Sequence, residues 1–503
     1  MELVFEQQSI DYLRRIFSKN ATQEQTQELI VPDSYPDCAR VVFCGASAVV
    51  RGKECRDGSV IVTGGVRAGI LYVPEDDSPA RALECYLPYS VRVDAPAATE
   101  QMQTSVCCRI LAADARLINS RKILVRTNLV CEMTGFVPQS ETLCTLTQKP
   151  DTLQTKTQSY RMLLPQEYTE KTFTMTEDLE LSSSEPELDK IVHYWLRPDL
   201  TEQKLTGNKA VFKGNLTLKL LYLTPSGEPE SYTRQIPFAQ YCELRQDYDD
   251  DELQLCLCMT GSELEVEKLQ DEPAKLLLSA SILCQCVSLK TQQITLTEDA
   301  YATRGTFRPE WCELELPSLL DRQTLLATLR GSVPKEAKAV IESTLYLDAP
   351  SQQKTDGGVL LSVPATVNIL YYDTDGALQS AIVRDQASCS LPAEADTSCV
   401  VTVRAGKDGF AAPSGSGIDV RYDVSFQAAC CCERALRMLC GGTIEDDEKP
   451  AGERFCVVVK TNPKTQSLWE LAKEYRTSVD AIAKANGIVT DEAEQGELLL
   501  IPM

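Results

Sequence analysis

Three landmarks recur in one order through the first 440 residues, at a period close to 150. The first is a proline ahead of an apolar strand, in "YPDCARVV", "EPELDKIV" and "VPKEAKAV"; Pro36, Pro186 and Pro334 are separated by 150 and 148 residues. The second is a strand running into a turn, in "VRAGILYVPEDDSP", "LTLKLLYLTPSGEP" and "ATVNILYYDTDGAL"; here Tyr72, Tyr222 and Tyr371 are separated by 150 and 149 residues. The third closes each copy with "ILVRTNLVCEM", "LLLSASILCQC" and "DVRYDVSFQAACC". Alternation such as Val367, Ile369, Tyr371 is the period-two pattern of a half-buried strand, and the Pro, Gly and Asp residues after it supply turn chemistry. A period this long does not suit a solenoid, so each copy is expected to own a core. The expected fold is therefore mainly β, with three tandem β-sandwich-like domains at 1–148, 149–298 and 299–440.

The last 63 residues differ in kind from the repeats. "GGTIEDDEKPAGER" (441–454) combines Gly, Pro and a run of charge, and reads as a flexible linker. Residues 455–503 then read as a small βααβ module. "RFCVVVK" opens as a strand, and Ser467 with Glu470 forms a capping box that starts a helix. Leu468, Leu471, Ala472 and Tyr475 give the stripe of a buried helical face. Thr477 with Asp480 reads as a second, looser box, and Gly487 stands where a helix ends on a left-handed residue. "GELLLIP" returns as a strand.

Composition narrows the functions open to such a chain. Its 503 residues carry a formal net charge of -23, which argues against nucleic acid and against an anionic membrane surface. Glu2, Glu6 and Asp11 interrupt any apolar export signal, and no stretch is long enough to span a bilayer, so no membrane insertion and a cytoplasmic location are expected. The 21 cysteines are an odd, scattered set, expected to act mostly as small buried hydrophobes. Two CxC pairs, Cys256 with Cys258 and Cys284 with Cys286, supply four thiols that a zinc ion would need, but the spacing is not CxxC and core packing is the reading preferred. The triplet Cys430, Cys431, Cys432 reads as strand packing, with a redox or cross-linking point as the alternative. "QDYDDDEL" (246–253) reads as a solvated acidic turn rather than a calcium loop. The single histidine, His193, lies in the strand-like "KIVHYWL"; no G-x-S-x-G elbow or phosphate-binding loop accompanies it. No catalytic, cofactor or metal site is assigned, and the chain is not expected to be an enzyme.

The core of the tail, "SLWELAKEYRTSVDAIAKANGI" followed by "GELLLIP", resembles the LysM domain. The three upstream copies resemble the SPOCS domain of SipL-type spore proteins, and their order before a terminal LysM resembles that whole architecture. The resemblance implies a mother-cell cytoplasmic protein at the forespore or spore coat surface, acting as a non-enzymatic scaffold. Its LysM module would dock a spore coat morphogenetic protein, the stage IV sporulation protein A-like ATPase. The alternative is a binder of peptidoglycan, an N-acetylglucosamine glycan of the wall or spore cortex. On the LysM pattern the loops before the first helix and after the second form the binding edge. This places Lys464, Thr465, Gln466, Ser467 and Trp469 on one side and Asn486, Gly487 and Ile488 on the other. The chain departs from the pattern at Thr465 and Gln466, where LysM usually carries Gly-Asp; a side chain at the Gly position crowds close approach of a sugar to the backbone. That departure favours the protein-docking reading.

The tail is small, so each core side chain matters. Leu471→Ala should cost about 2–5 kcal/mol and unfold the module; a thermal melt in which the module's transition does not move would place Leu471 outside its core.

Overall fold

A computed structural model describes residues 2–76, 78–182, 184–248, 252–268, 274–315, 318–355, 357–392, 397–432, 436–445, 456–460, 467–488 and 498–502. The first copy folds as β1 (Val4–Ile30), β2 (Cys38–Arg56), β3 (Ser59–Pro74), β4 (Arg81–Asp94), β5 (Gln103–Asn119) and β6 (Lys122–Gln148). These make two three-stranded sheets, ordered β1-β6-β5 and β2-β3-β4. The second copy repeats the plan with β7 (Leu153–Glu180), β8 (Lys190–Thr206), β9 (Lys209–Leu223), β10 (Pro229–Glu243), β11 (Glu252–Glu267) and β12 (Lys275–Ala302). Its sheets run β11-β12-β7 and β10-β9-β8.

In the third copy several strands are divided. It comprises β13 (Thr306–Leu314), β14 (Ser318–Val333), β15 (Ala339–Leu347), β16 (Ser351–Thr355), β17 (Gly358–Tyr372), β18 (Leu378–Leu391), β19 (Thr397–Ser414), β20 (Gly417–Cys432) and β21 (Leu436–Glu445). β13 pairs β21, β14-β20-β19 form one sheet, and β15, β16 and β18 surround β17. The tail contributes β22 (Val457–Lys460), α1 (Leu468–Glu474), α2 (Val479–Asn486) and β23 (Leu498–Ile501). The chain is mainly β, as its alternation demands. Two boundaries differ from the sequence reading. β12 runs on to Ala302, past residue 298, and Gly441–Glu445 is strand rather than linker. The acidic tip at 249–251 lies outside the described residues.

The repeated landmarks have a physical cause. The Tyr72 hydroxyl donates to the Pro36 carbonyl at 2.9 Å, and the Tyr222 hydroxyl donates to the Pro186 carbonyl at 3.0 Å. Both rings are fully buried. A buried phenol needs a partner for its hydroxyl, and the carbonyl of the turn proline supplies it.

Just past each landmark the strand pairing slips by one residue, at Val42, Val192 and Ile341. Such a bulge bends the strand and re-aims its side chains. The three bulge residues join Leu71, Leu221 and Leu370 in one apolar cluster that draws on all three copies. The three copies therefore meet around a common axis. Beside each bulge, opposite those leucines, stand Phe43, His193 and Glu342. Gly45 leaves room for the neighbouring copy's indole: a Cβ there would lie 2.7 Å from Trp195 Cζ2. A Cβ on Gly69 would lie 2.1 Å from the Val192 carbonyl oxygen, so the backbones of the first two copies touch directly.

Each interface between copies carries a buried polar link. Between the first and second, the Gln285 amide donates to the Val106 carbonyl at 2.8 Å and accepts the Val106 N–H at 2.7 Å. Between the second and third, Lys219 Nζ lies 2.5 Å from the Glu342 carboxylate. Between the third and first, Arg404 and Arg109 hold Glu132 from two sides, each at 3.1 Å. Away from the axis, the outer ends of the ribbons β1/β6, β7/β12 and β13/β21 share a second cluster that includes Leu143, Met162 and Met438. A disulfide joins Cys312 to Cys440 in the last of these ribbons.

The strand register also separates the two CxC pairs. Cys256 lies opposite Gln285, whereas Cys284 lies opposite Leu257. Directly opposed residues share a face and neighbours in a strand alternate. Cys256 and Cys258 thus point away from Cys284 and Cys286, and the four thiols do not converge. No cluster of three or more metal-ligating side chains is found among the described residues. No helix among them is long and apolar enough to cross a membrane.

His193 is buried against the axis, with its ring 4.6 Å from that of Trp195. Burial, with help from nearby Arg67, lowers its pKa to about 3. The folded protein keeps this ring neutral, while the unfolded chain protonates it near pH 6.5. Between about pH 6.5 and 3 the unfolded state binds the extra proton, so stability falls as pH falls through that window. His193→Phe installs the first copy's residue at the equivalent site. It should remove roughly 1.4 kcal/mol of destabilisation per pH unit below 6.5. Melting temperatures at pH 7 and pH 4.5 check this: the variant should lose less than the parent, and equal losses would refute the assignment.

Candidate functional site

The tail module is small enough to be followed residue by residue. β22 and β23 pair antiparallel, with Val457 opposite Ile501 and Val459 opposite Leu499. The Ser467 hydroxyl accepts the Glu470 N–H at 3.3 Å and starts α1. The second cap differs from the sequence reading. Ser478, not Thr477, accepts the Ala481 N–H, at 3.1 Å, and starts α2. Thr477 is instead buried one residue earlier. The two residues are adjacent hydroxyl-bearing caps in sequence, and only the direction of the turn after Arg476 decides between them. Gly487 ends α2 at φ 65°, in the left-handed region where Gly carries no steric penalty. Leu468, Leu471, Ala472 and Ile482 from the helices meet Leu499 and Ile501 of β23 in a closed apolar core.

That core includes one residue from far upstream: Tyr301, near the end of β12. Its ring meets the Trp469 ring edge-on at 4.9 Å, and its hydroxyl donates to the Thr477 carbonyl at 2.8 Å. Two residues earlier, Asp299 receives the Trp469 indole N–H at 2.8 Å and Lys473 Nζ at 2.6 Å. Burial pushes the Asp299 carboxyl up, but the bonds from Lys473 and Trp469 outweigh it and hold the pKa below the ordinary aspartate value. Helix α1 is thus latched to β12 by an aromatic contact and a shared carboxylate. The module is docked on the β assembly.

The expected binding residues have different fates. Lys464, Thr465 and Gln466 lie outside the described residues. Ser467 is committed to the helix cap, and Trp469 to Asp299 and Tyr301. The Asn486 amide donates to Leu500 O and accepts the Leu500 N–H, both at 2.7 Å, strapping α2 to β23. Gly487 is exposed at the helix end. Ile488 packs on the core, and its N–H donates to the Ala483 carbonyl at 3.0 Å. Asp299, Tyr301 and Lys473 were not anticipated. No spacing rule links a strand end to a helix about 170 residues away, and an Asp and a Tyr there look like any hairpin end.

The latch predicts a spectroscopic response. Asp299→Ala removes the partner of both Trp469 and Lys473, so it should red-shift part of the tryptophan emission and speed protease cleavage between residues 446 and 466. Emission and cleavage identical to the parent would show that the latch does not hold the module.

Comparison with known families agrees with this geometry. Residues 187–260, which span β8 to β10 and part of β11, match the model described as SipL, SPOCS domain. Residues 464–502 match the LysM domain model. No curated protein matches the chain. Among solved structures, the ferric yersiniabactin uptake receptor FyuA from Yersinia pestis aligns over 84% of this chain and 80% of its own, at 11% identity. The TM-score of 0.11 is too low to carry a structural argument. The two family matches support a sporulation-related protein; both matched segments are of binding-domain families, and the second is of the kind that binds peptidoglycan. The chain thus joins a SPOCS domain, of the kind described for SipL, to a C-terminal LysM domain.

Proposed function

We propose that the chain is a non-enzymatic scaffold of bacterial spore coat assembly, working in the mother-cell cytoplasm at the forespore surface. In this reading all three β copies are SPOCS domains, the second ending with β12 and the third with β21, and together they form the body of the scaffold. The LysM module docks a spore coat morphogenetic protein, of the stage IV sporulation protein A-like ATPase type. Its contact lies along the loops that hold Lys464, Thr465, Gln466 and Gly487.

The observation that carries the reading is how the module's polar side chains are spent. Trp469 is turned onto Asp299, Ser467 caps a helix, and Asn486 straps a strand. Each would otherwise be available to hydrogen-bond or stack on a sugar, and Thr465 stands where LysM usually has its glycine. His193, the single histidine, stays neutral well below physiological pH, which removes the commonest general acid or base. A second reading, binding of peptidoglycan glycan, is favoured by the LysM match itself.

A pull-down from sporulating cells separates the two. Full-length protein should recover the morphogenetic partner, and a chain ending at Glu445 should not. Equal recovery by both would sink the docking role. Sedimentation of the full chain with purified wall material, lost on removal of the tail, would favour the glycan reading instead.

A further inference from the structure

Among the described residues, two pairs of cysteines besides the Cys312–Cys440 disulfide lie directly opposite each other on neighbouring strands. Cys108 on β5 lies directly opposite Cys131 on β6, with the sulfurs 2.8 Å apart. Cys399 on β19 lies directly opposite Cys430 on β20, with the sulfurs 2.7 Å apart. Opposed residues on antiparallel strands have Cα atoms about 4.5–5.5 Å apart. That separation falls inside the range of about 4.4–6.8 Å that a disulfide spans. Each pair combines a half-buried thiol, Cys108 or Cys399, with a buried one, Cys131 or Cys430. The half-buried member is the more exposed thiol of its pair, and the buried member is already in place to attack it. The contact with Cys131 and burial push the Cys108 thiol up, so exchange at that pair is slow at neutral pH and speeds up as pH rises.

We propose that Cys108–Cys131 and Cys399–Cys430 are oxidation sites that close to intrachain disulfides when the protein meets a low-molecular-weight disulfide. The chemistry is two exchanges. The Cys108 thiolate attacks one sulfur of the small disulfide; a bond forms between Cys108 and that sulfur, and the other half leaves as a thiolate that takes up the proton Cys108 lost. Cys131 then loses its proton and attacks Cys108 Sγ, and the second half leaves as a thiol. Two protein thiols are oxidised, and one small disulfide is reduced to two thiols. Cys399 and Cys430 take the same course. Each bond ties an edge strand to the central strand of its own sheet, β5 to β6 and β19 to β20; β6 carries Glu132 and β19 carries Arg404, which meet at the interface between the third and first copies.

Peptide mapping of the full chain tests the assignment, with oxidised glutathione as the small disulfide. The protein is incubated with the reagent, alkylated under denaturing conditions and digested without reduction. The expected products are a Cys108–Cys131 linked peptide and a Cys399–Cys430 linked peptide, with each linked thiol protected from alkylation. Alkylated or singly glutathionylated Cys108 and Cys399 in the folded protein would overturn the proposal, pair by pair. Cys131→Ser should leave a stable glutathione adduct on Cys108. Should that variant fail to fold, the map of the unaltered chain still decides the matter. The midpoint of thermal unfolding should rise by several degrees on oxidation, and a Cys108→Ser, Cys399→Ser double variant should lose that rise; a rise retained in the double variant counts against these two pairs.

Discussion

The burial of Leu71, Leu221 and Leu370 on a shared axis is the contact on which the rest of the architecture depends. Each comes from the central strand of its own sheet, and each is fully buried in a cluster to which all three copies contribute. Full burial of one such side chain is worth about 1.5–3 kcal/mol, and the surrounding cluster multiplies that. The bulge beside each leucine turns an otherwise flat strand toward the axis, so a local irregularity in pairing sets the packing of the whole β body. The polar links at the three interfaces then select one arrangement. Removing Lys219 would leave the buried Glu342 carboxyl without its charged partner. Because Phe43, His193 and Glu342 occupy equivalent places with different chemistry, the copies are not interchangeable around the axis.

Much of this was legible in the sequence because it repeats. In the first two copies the proline and tyrosine landmarks are two ends of one hydrogen bond, which holds the two residues at a fixed spacing. The helices of the tail were equally legible, since caps and apolar stripes are local. The features that stayed hidden are non-local or depend on strand parity. The facing of the CxC pairs is set by which residue of β12 stands opposite which residue of β11, and a register shift at Thr260 intervenes. The opposition of Cys399 and Cys430 likewise appears only once β19 and β20 are aligned. Asp299 and Tyr301 act on a helix that neither periodicity nor capping connects to them.

The docked tail alters how a LysM module is usually pictured on the end of a chain. With Tyr301 inside its core, the module has a defined seat on β12, and its orientation relative to the β body is part of the fold. A partner held by such a module is held at a set angle to the SPOCS domain. That suits a scaffold, whose task is relative placement, better than it suits a wall anchor, for which a loose tether is enough.

One small contact has a large consequence for how the protein is made. The Leu3 N–H donates to the Gly442 carbonyl, and Glu2 bridges Thr443, so the opening strand of the chain is completed by the closing strand of the third copy. A ribosome adding about 5–20 residues per second reaches Gly442 roughly 20–90 s after Leu3 has been made. For that interval the start of β1 has no final neighbour on that side, and an uncovered strand end is a template for the wrong one. Synthesis therefore includes a waiting time before the start of β1 gains this neighbour.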